Sequence, residues 1–213
     1  MAPREGLTLL GRPNAYNVRK VLWLLDELGL DYSLEPWGRG HRPTDDPYFL
    51  ALNPLGTVPV LLDGAAVLRE SHVILRYLAA RQGATALLPV EPLARARVEQ
   101  WMDWVAYDMT QPMRAAYLGG ELGLEPWTNP WLVAHGRLEY GRRMGQLEAA
   151  LAVSGPYLAG EDFTLADIPA GFVVHRWYSM KNVQPLPMPA LAAYYERLSG
   201  RPAYRRHIRN GLP

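Results

Sequence analysis

The chain is predicted to fold as an α/β domain followed by an all-helical domain. Over residues 1–82, short apolar runs of strand length alternate with stretches of helical spacing. From residue 93 onward only the helical spacing remains. Between them, residues 83–92 lose periodicity at Gly83, Pro89 and Pro92. The expected organisation is therefore a first domain over 1–82, a linker over 83–92 and a second domain over 93–213.

Leu7 to Leu10 reads as a short buried strand. After the turn-rich Gly11 to Asn14, Val18, Val21, Leu22, Leu25 and Leu28 recur at helical spacing. Asp31 to Trp37 is strand-like again, which completes a βαβ unit. Residues 38–52 are polar and proline-rich, a loop with one short helix. Val58 to Leu62 and Ala65 to Leu68 flank Asp63-Gly64, a dipeptide suited to the positive φ of a hairpin turn. Glu70-Ser71 then opens a helix carrying Val73, Ile74, Tyr77 and Leu78. The order βαβ then ββα is a mixed four-stranded sheet with helices, the thioredoxin topology.

In the second domain, Leu93 to about Leu118 places Val98, Trp101, Met102, Val105 and Met109 on one broad face, and Pro112 is expected to kink or break the helix. Thr128-Asn129-Pro130 is a cap followed by a first-turn proline, starting a helix toward Val153. Thr164 stands three residues before Asp167 as a capping box, with Phe163 and Ile168 as a hydrophobic staple. An apolar helix to about Tyr178 follows, then helices over 189–198 and 202–208.

Composition narrows the chemistry. With 213 residues, half of them apolar, the chain can bury two modest cores. The net charge of +1 and the absence of a basic run give no electrostatic footprint for nucleic acid or an anionic membrane, so the expected partner is a small molecule. No stretch has the roughly 18 apolar residues that span a bilayer, and Met1 to Gly6 has no signal-peptide core, so a cytoplasmic location is expected. There are no cysteines, which excludes disulfides, protein thiolate nucleophiles and Cys-x-x-Cys redox chemistry. Any thiol must come with a ligand. The five histidines, His41, His72, His135, His175 and His207, lack the i, i+4 spacing of a helical metal pair, and no metal site is expected.

Three segments in order, Asn53-Pro-Leu-Gly-Thr-Val-Pro59, Glu70-Ser71 before a helix, and Thr164-Leu-Ala-Asp167, resemble the hallmark segments of cytosolic glutathione transferases. The opening Gly11 to Trp23 and the helix bearing Trp101 and Trp104 are similar to bacterial members. The resemblance spans essentially the whole chain. It implies the glutathione transferase fold, with the tripeptide glutathione as co-substrate, no metal, a small hydrophobic or electrophilic second substrate, and a homodimer. The implied activity activates the glutathione thiol as thiolate and transfers it to the electrophile, or uses it in a reduction; the alternative is a family-like binding or regulatory protein without catalysis.

The resemblance also implies site residues. Val58-Pro59 is expected to carry a cis bond and to offer its backbone to the cysteinyl unit of glutathione, as an added strand would. Ser71, as helix N-cap, and Glu70 are expected at the γ-glutamyl end. Thr57 and His41 are candidates for the glycyl end, whereas Arg39 and Arg69 read as solvated. The family's Ser, Thr or Cys position falls on Ala15, which has no donor. Asn17, then Tyr16, then Asn14 are the candidates to hydrogen-bond the thiolate, with helix capping as the alternative role for the two asparagines. For the second substrate the candidates are Tyr107, Gln111, Arg114, Trp177 and Tyr178.

Overall fold

A computed structural model describes residues 4–183 and 186–211; of the stretch Met1 to Gly6, the first three residues lie outside the described residues. The chain forms two compact units. One takes the sequence up to Ala84 together with the segment from Arg206, and the other is Thr85–Arg205.

The first unit contains β1 (Arg4–Leu10), α1 (Tyr16–Glu27), β2 (Tyr32–Glu35), α2 (Pro47–Leu52), β3 (Val60–Gly64), β4 (Ala66–Arg69) and α3 (Ser71–Arg81). The sheet order is β2-β1-β3-β4. β1 runs parallel to β2, with Leu9 opposite Leu34, and antiparallel to β3, with Leu9 opposite Leu61. This is the predicted thioredoxin-like arrangement. The central strand explains why Leu7 to Leu10 shows no alternation: Leu7, Leu9 and Leu10 are all buried, as a strand covered on both faces requires. The edge strand β4 is mostly exposed.

The hairpin turn sits one residue later than expected. Asp63 pairs with Ala66, so the loop residues are Gly64 and Ala65, and the positive φ falls on Gly64 at 57°. Asp63 stays in the ladder, where its carboxylate accepts from Tyr77 Oη at 2.7 Å.

Eight consecutive residues of α1, Val18 to Leu25, are buried, including Arg19 and Lys20. A buried guanidinium must be answered by acceptors. Arg19 Nε donates to the carbonyl of His207 at 2.7 Å and Nη2 to that of Ile208 at 2.6 Å. Further along the same helix, Asp26 pairs with Arg206 and His207, each at 2.8 Å. These bonds attach the segment from Arg206 to the first unit.

The second unit is helical: α4 (Pro92–Asp108), α5 (Thr110–Met113), a π-helical turn Arg114–Gly119, α6 (Pro130–Ser154), α7 (Asp167–Ser179), α8 (Pro189–Ser199) and the greater part of α9 (Pro202–His207). The regular helix stops at Asp108, four residues before Pro112, whose missing N–H would have bonded that carbonyl. The chain then continues with a wider pitch, Gly120 N bonding the carbonyl of Ala115. Asn129 caps α6 through Trp131 N and Leu132 N, with Pro130 as first helical residue. No helix among the described residues is long and apolar enough to cross a membrane.

Asp167 is the polar centre of this unit. It is fully buried, and its carboxylate accepts from Thr164 N at 2.8 Å, Leu158 N at 3.1 Å and Tyr194 Oη at 3.0 Å. Of the expected capping box, the bond from Thr164 N to the Asp167 carboxylate forms, whereas Asp167 N donates to the Thr164 carbonyl at 3.1 Å and the Thr164 hydroxyl accepts from Ala166 N at 3.3 Å instead, ahead of the regular helix at Asp167. Burial pushes the carboxyl from its ordinary 3.8 up to about 6, against the hydrogen bonds, which pull it down.

A carboxyl whose folded pKa is raised binds more protons folded than unfolded between the two values. Its contribution to stability is therefore largest below about pH 4 and falls by about 3 kcal/mol as the pH rises to about 6. Urea denaturation should accordingly show the stability difference between the native chain and Asp167→Asn shrinking by about 2 kcal/mol from about pH 4 to 6.5. A difference that stays constant across this range would refute the assignment.

Candidate functional site

Helix starts leave N–H groups without intrahelical partners, and most long helices here satisfy them with side chains. Glu91 serves α4, Asn129 serves α6, and Glu148 reaches Ala190 N and Leu191 N at the start of α8, while the Thr164 hydroxyl accepts from Ala166 N just ahead of α7. At α1 and α3, as at α7 and α8, the cap residue makes no side-chain hydrogen bond to the helix start. The N-termini of α1 and α3 are joined by a hydrogen bond from Ser71 Oγ to Asn17 Oδ1 at 3.4 Å.

At α1, Ala15 holds the cap position, Tyr16 is the first helical residue and Asn17 the second. Neither Asn14 nor Asn17 caps the helix. Asn14 accepts from Arg12 Nη1 at 3.2 Å instead. With Asn17 Oδ1 occupied by Ser71, the amide NH2 is the end left to donate. The Tyr16 ring lies beneath Lys20 Nζ, 4.3 Å from its centroid, and Lys20 bonds His72 Nε2 at 3.0 Å.

At α3 the expectation for Ser71 is corrected. Glu70 occupies the cap position and Ser71 is the first helical residue, because Glu70 has φ 67° and ψ 113°, outside the helical region, while its carbonyl accepts from Ile74 N at 2.9 Å. Ser71 is buried and its hydroxyl turns to Asn17 rather than to its own helix. A non-glycine residue at positive φ costs of order 1–3 kcal/mol, and such residues cluster at functional sites.

Val58-Pro59 is cis. Among the described residues, neither the N–H nor the C=O of Val58 bonds another backbone group. The preceding loop is held by Asn53, nearly fully buried, whose Nδ2 donates to the carbonyl of Thr57 at 2.7 Å and to its Oγ1 at 3.3 Å. Gly11 brings this loop to α1: a Cβ there would stand 2.5 Å from Val18 Cγ2 and 3.3 Å from Val58 Cβ. His41 lies exposed in the turn after β2, its N–H on the carbonyl of Gly38 at 2.8 Å.

Of the five second-substrate candidates, two line one cavity and a third lines another. Tyr107 and Gln111 line a cavity of about 300 Å³ between α4, α5 and α6, with Trp127, His135 and Arg143. Trp177 lines another of about 490 Å³ with Gly141 and Gly145. Arg114 lies over Trp127, 5.9 Å from its ring, and Tyr178 stacks on Tyr195 at 4.9 Å. No group of acids and histidines that could hold a metal occurs among the described residues. Sequence reasoning missed the Lys20–His72 pair. Its only trace is the i, i+4 placement of Lys20 after Tyr16 and the position of His72 beside Ser71.

A thioredoxin-like unit with two uncapped helix starts, a cis proline and a following helical unit defines a recognisable class. The chain belongs to the glutathione S-transferase family. Residues 17–81 match the glutathione S-transferase N-terminal domain and residues 133–202 its C-terminal domain. Glutathione S-transferase GstB of Escherichia coli is 33% identical over 95% of this chain and 97% of its own. Glutathione S-transferase 3 of Zea mays is 32% identical over 98% and 94%. Among solved structures, the theta class glutathione S-transferase of Xanthomonas axonopodis pv. citri, crystallised with glutathione bound, is 38% identical with a TM-score of 0.90, covering 99% of this chain and all of that one.

The close approach at Gly11 gives a direct test of how this site is held. Gly11→Ala places a methyl group against Val18 and Val58 and is expected to cost about 1–3 kcal/mol in urea denaturation. An unchanged midpoint would mean that the loop can shift away from α1.

Proposed function

We propose that the chain is a glutathione transferase that binds glutathione on the first unit, stabilises its thiolate and transfers it to an electrophilic small molecule. The observation that carries this reading is the junction of two uncapped helix starts through Ser71 and Asn17. Together they turn two helix starts, with their dipoles, toward an anionic ligand. The γ-glutamyl carboxylate is assigned to the start of α3 at Ser71, and the γ-glutamyl ammonium to the carboxylate of Glu70. The cysteinyl unit pairs with the free N–H and C=O of Val58. Thr57 and His41 take the glycyl end.

An ordinary thiol near pKa 8.5 is mostly protonated at neutral pH, and the thiolate is the nucleophile. Lowering that pKa by about two units requires about 2.7 kcal/mol of differential stabilisation. The Asn17 amide NH2 is our first choice of donor, ahead of Tyr16, whose ring is already covered by Lys20, and Asn14, which is engaged by Arg12. The thiolate sulfur then bonds the electrophilic carbon, the leaving group departs with its electron pair, and the thiol proton passes to solvent. Tyr107, Gln111, Arg114, Trp177 and Tyr178 remain our candidates for the second substrate, in a cytoplasmic homodimer.

Ala15 favours a second reading, a glutathione-binding protein without transferase activity, because the residue at the head of α1 has no hydroxyl. Calorimetric titration with glutathione tests what the two readings share. Saturable binding in the micromolar to millimolar range is expected, and Ser71→Ala should weaken it about tenfold. Absence of binding would sink both readings. Asn17→Ala separates them: under the first, the absorbance titration of the bound thiol moves upward and turnover falls about tenfold, with a much smaller change in affinity. Loss of neither, with Tyr16→Phe altering both, would transfer the role to Tyr16.

A further inference from the structure

The β1–α1 turn and the loop after β2 carry three arginines, and among the described residues only Arg42 is paired with a carboxylate. Arg42 pairs with Glu35 at 3.7 Å and lies over the Trp37 ring at 5.4 Å. Arg12 and Arg39 have no carboxylate partner among the described residues. Arg12 leaves the β1–α1 turn, its backbone carbonyl accepting from Ala15 N at 3.0 Å and its Nη1 donating to Asn14. Its arm then crosses to the loop after β2, where Nε and Cδ come within 3.8 and 3.9 Å of the place a side chain on Gly38 would take. A larger residue at 38 would stand against this arm. Arg39 follows directly, in a turn closed by Gly38 N on the carbonyl of Arg42 and His41 N on that of Gly38, each at 2.8 Å.

Burial, and after it the charge of Arg39, push the Arg12 guanidinium below its ordinary range. An oxyanion between them would relieve the repulsion, and each guanidinium offers a planar fork of donors for it. Two cations with no basic run around them suit a small acid rather than a polyanion.

Resting on the proposed transferase reading, we propose that Arg12 and Arg39 form a carboxylate clamp beside the thiol, selecting second substrates that carry an acidic group. In the matched reaction the glutathione sulfur bonds the ring carbon of a chloronitroarene, the C–Cl bond breaks, chloride leaves with the electron pair and the thiol proton goes to solvent.

The test compares 4-chloro-3,5-dinitrobenzoate with the corresponding benzamide, which differ only in the charged group. Relative to the uncatalysed reactions with glutathione, the native chain should favour the benzoate in kcat/KM, and Arg12→Gln or Arg39→Gln should each lower the benzoate-to-benzamide ratio about tenfold. An unchanged ratio overturns the clamp. So does a loss of glutathione affinity that accounts for the whole effect, which would assign the pair to the tripeptide's own carboxylate. Titration with 3,5-dinitrobenzoate and 3,5-dinitrobenzamide in the absence of glutathione keeps the clamp testable if glutathione itself fails to bind. Tighter binding of the benzoate, lost in both variants, supports the clamp alone, and equal binding of the two refutes it.

Discussion

Helix α1 imposes the constraint to which the rest of the first unit answers. A helix buried over eight consecutive residues would ordinarily be apolar throughout, yet this one carries two cations in that stretch. Arg19 and Lys20 cannot be left without partners at that depth. The consequence for Arg19 is a set of backbone carbonyls brought from nearly two hundred residues away; for Lys20 it is His72 at the start of α3. The second of these fixes α3 against α1 one residue from the Ser71–Asn17 bond. The register of the two helix starts, on which ligand binding depends in our reading, is thus set by buried charge as well as by apolar packing.

The sheet and most helices were legible because their signals are local. A central strand without alternation, a proline four residues beyond the end of α4 and an asparagine before a first-turn proline each act on their own neighbours. Errors arose where a local signal had two solutions of similar cost. Asp63-Gly64 and Gly64-Ala65 both place a glycine in the turn, and in the structure Asp63 stays in the ladder with its carboxylate engaged by Tyr77 and Arg81. Ser71 would be a good cap, but Glu70 takes that position in a strained conformation and frees the serine hydroxyl for Asn17. No propensity predicts that exchange, since its compensation lies 54 residues earlier.

The candidate site residues Ala15, Asn17, Val58, Glu70 and Ser71 stand out in the sequence by position and resemblance, and the structure adds that Ser71 Oγ and Asn17 Oδ1 engage each other. The arginine pair was invisible for a plain reason. A solvated arginine and one held against another positive charge have the same sequence signature, and only the course of the Arg12 arm over Gly38 tells them apart.

The attachment of the segment from Arg206 to α1 bears on how the protein is made. The ribosome delivers β1 and α1 early, then the whole of Thr85–Arg205, and only afterwards the carbonyls that receive Arg19. The unit begun first is therefore finished last, and the helical unit can be complete while its predecessor still waits for its final strap. Proteolytic clipping after residue 205 would likewise strike at the opposite end of the sequence from the cut, removing the groups that hold Arg19 and Asp26 in a helix made some two hundred residues before.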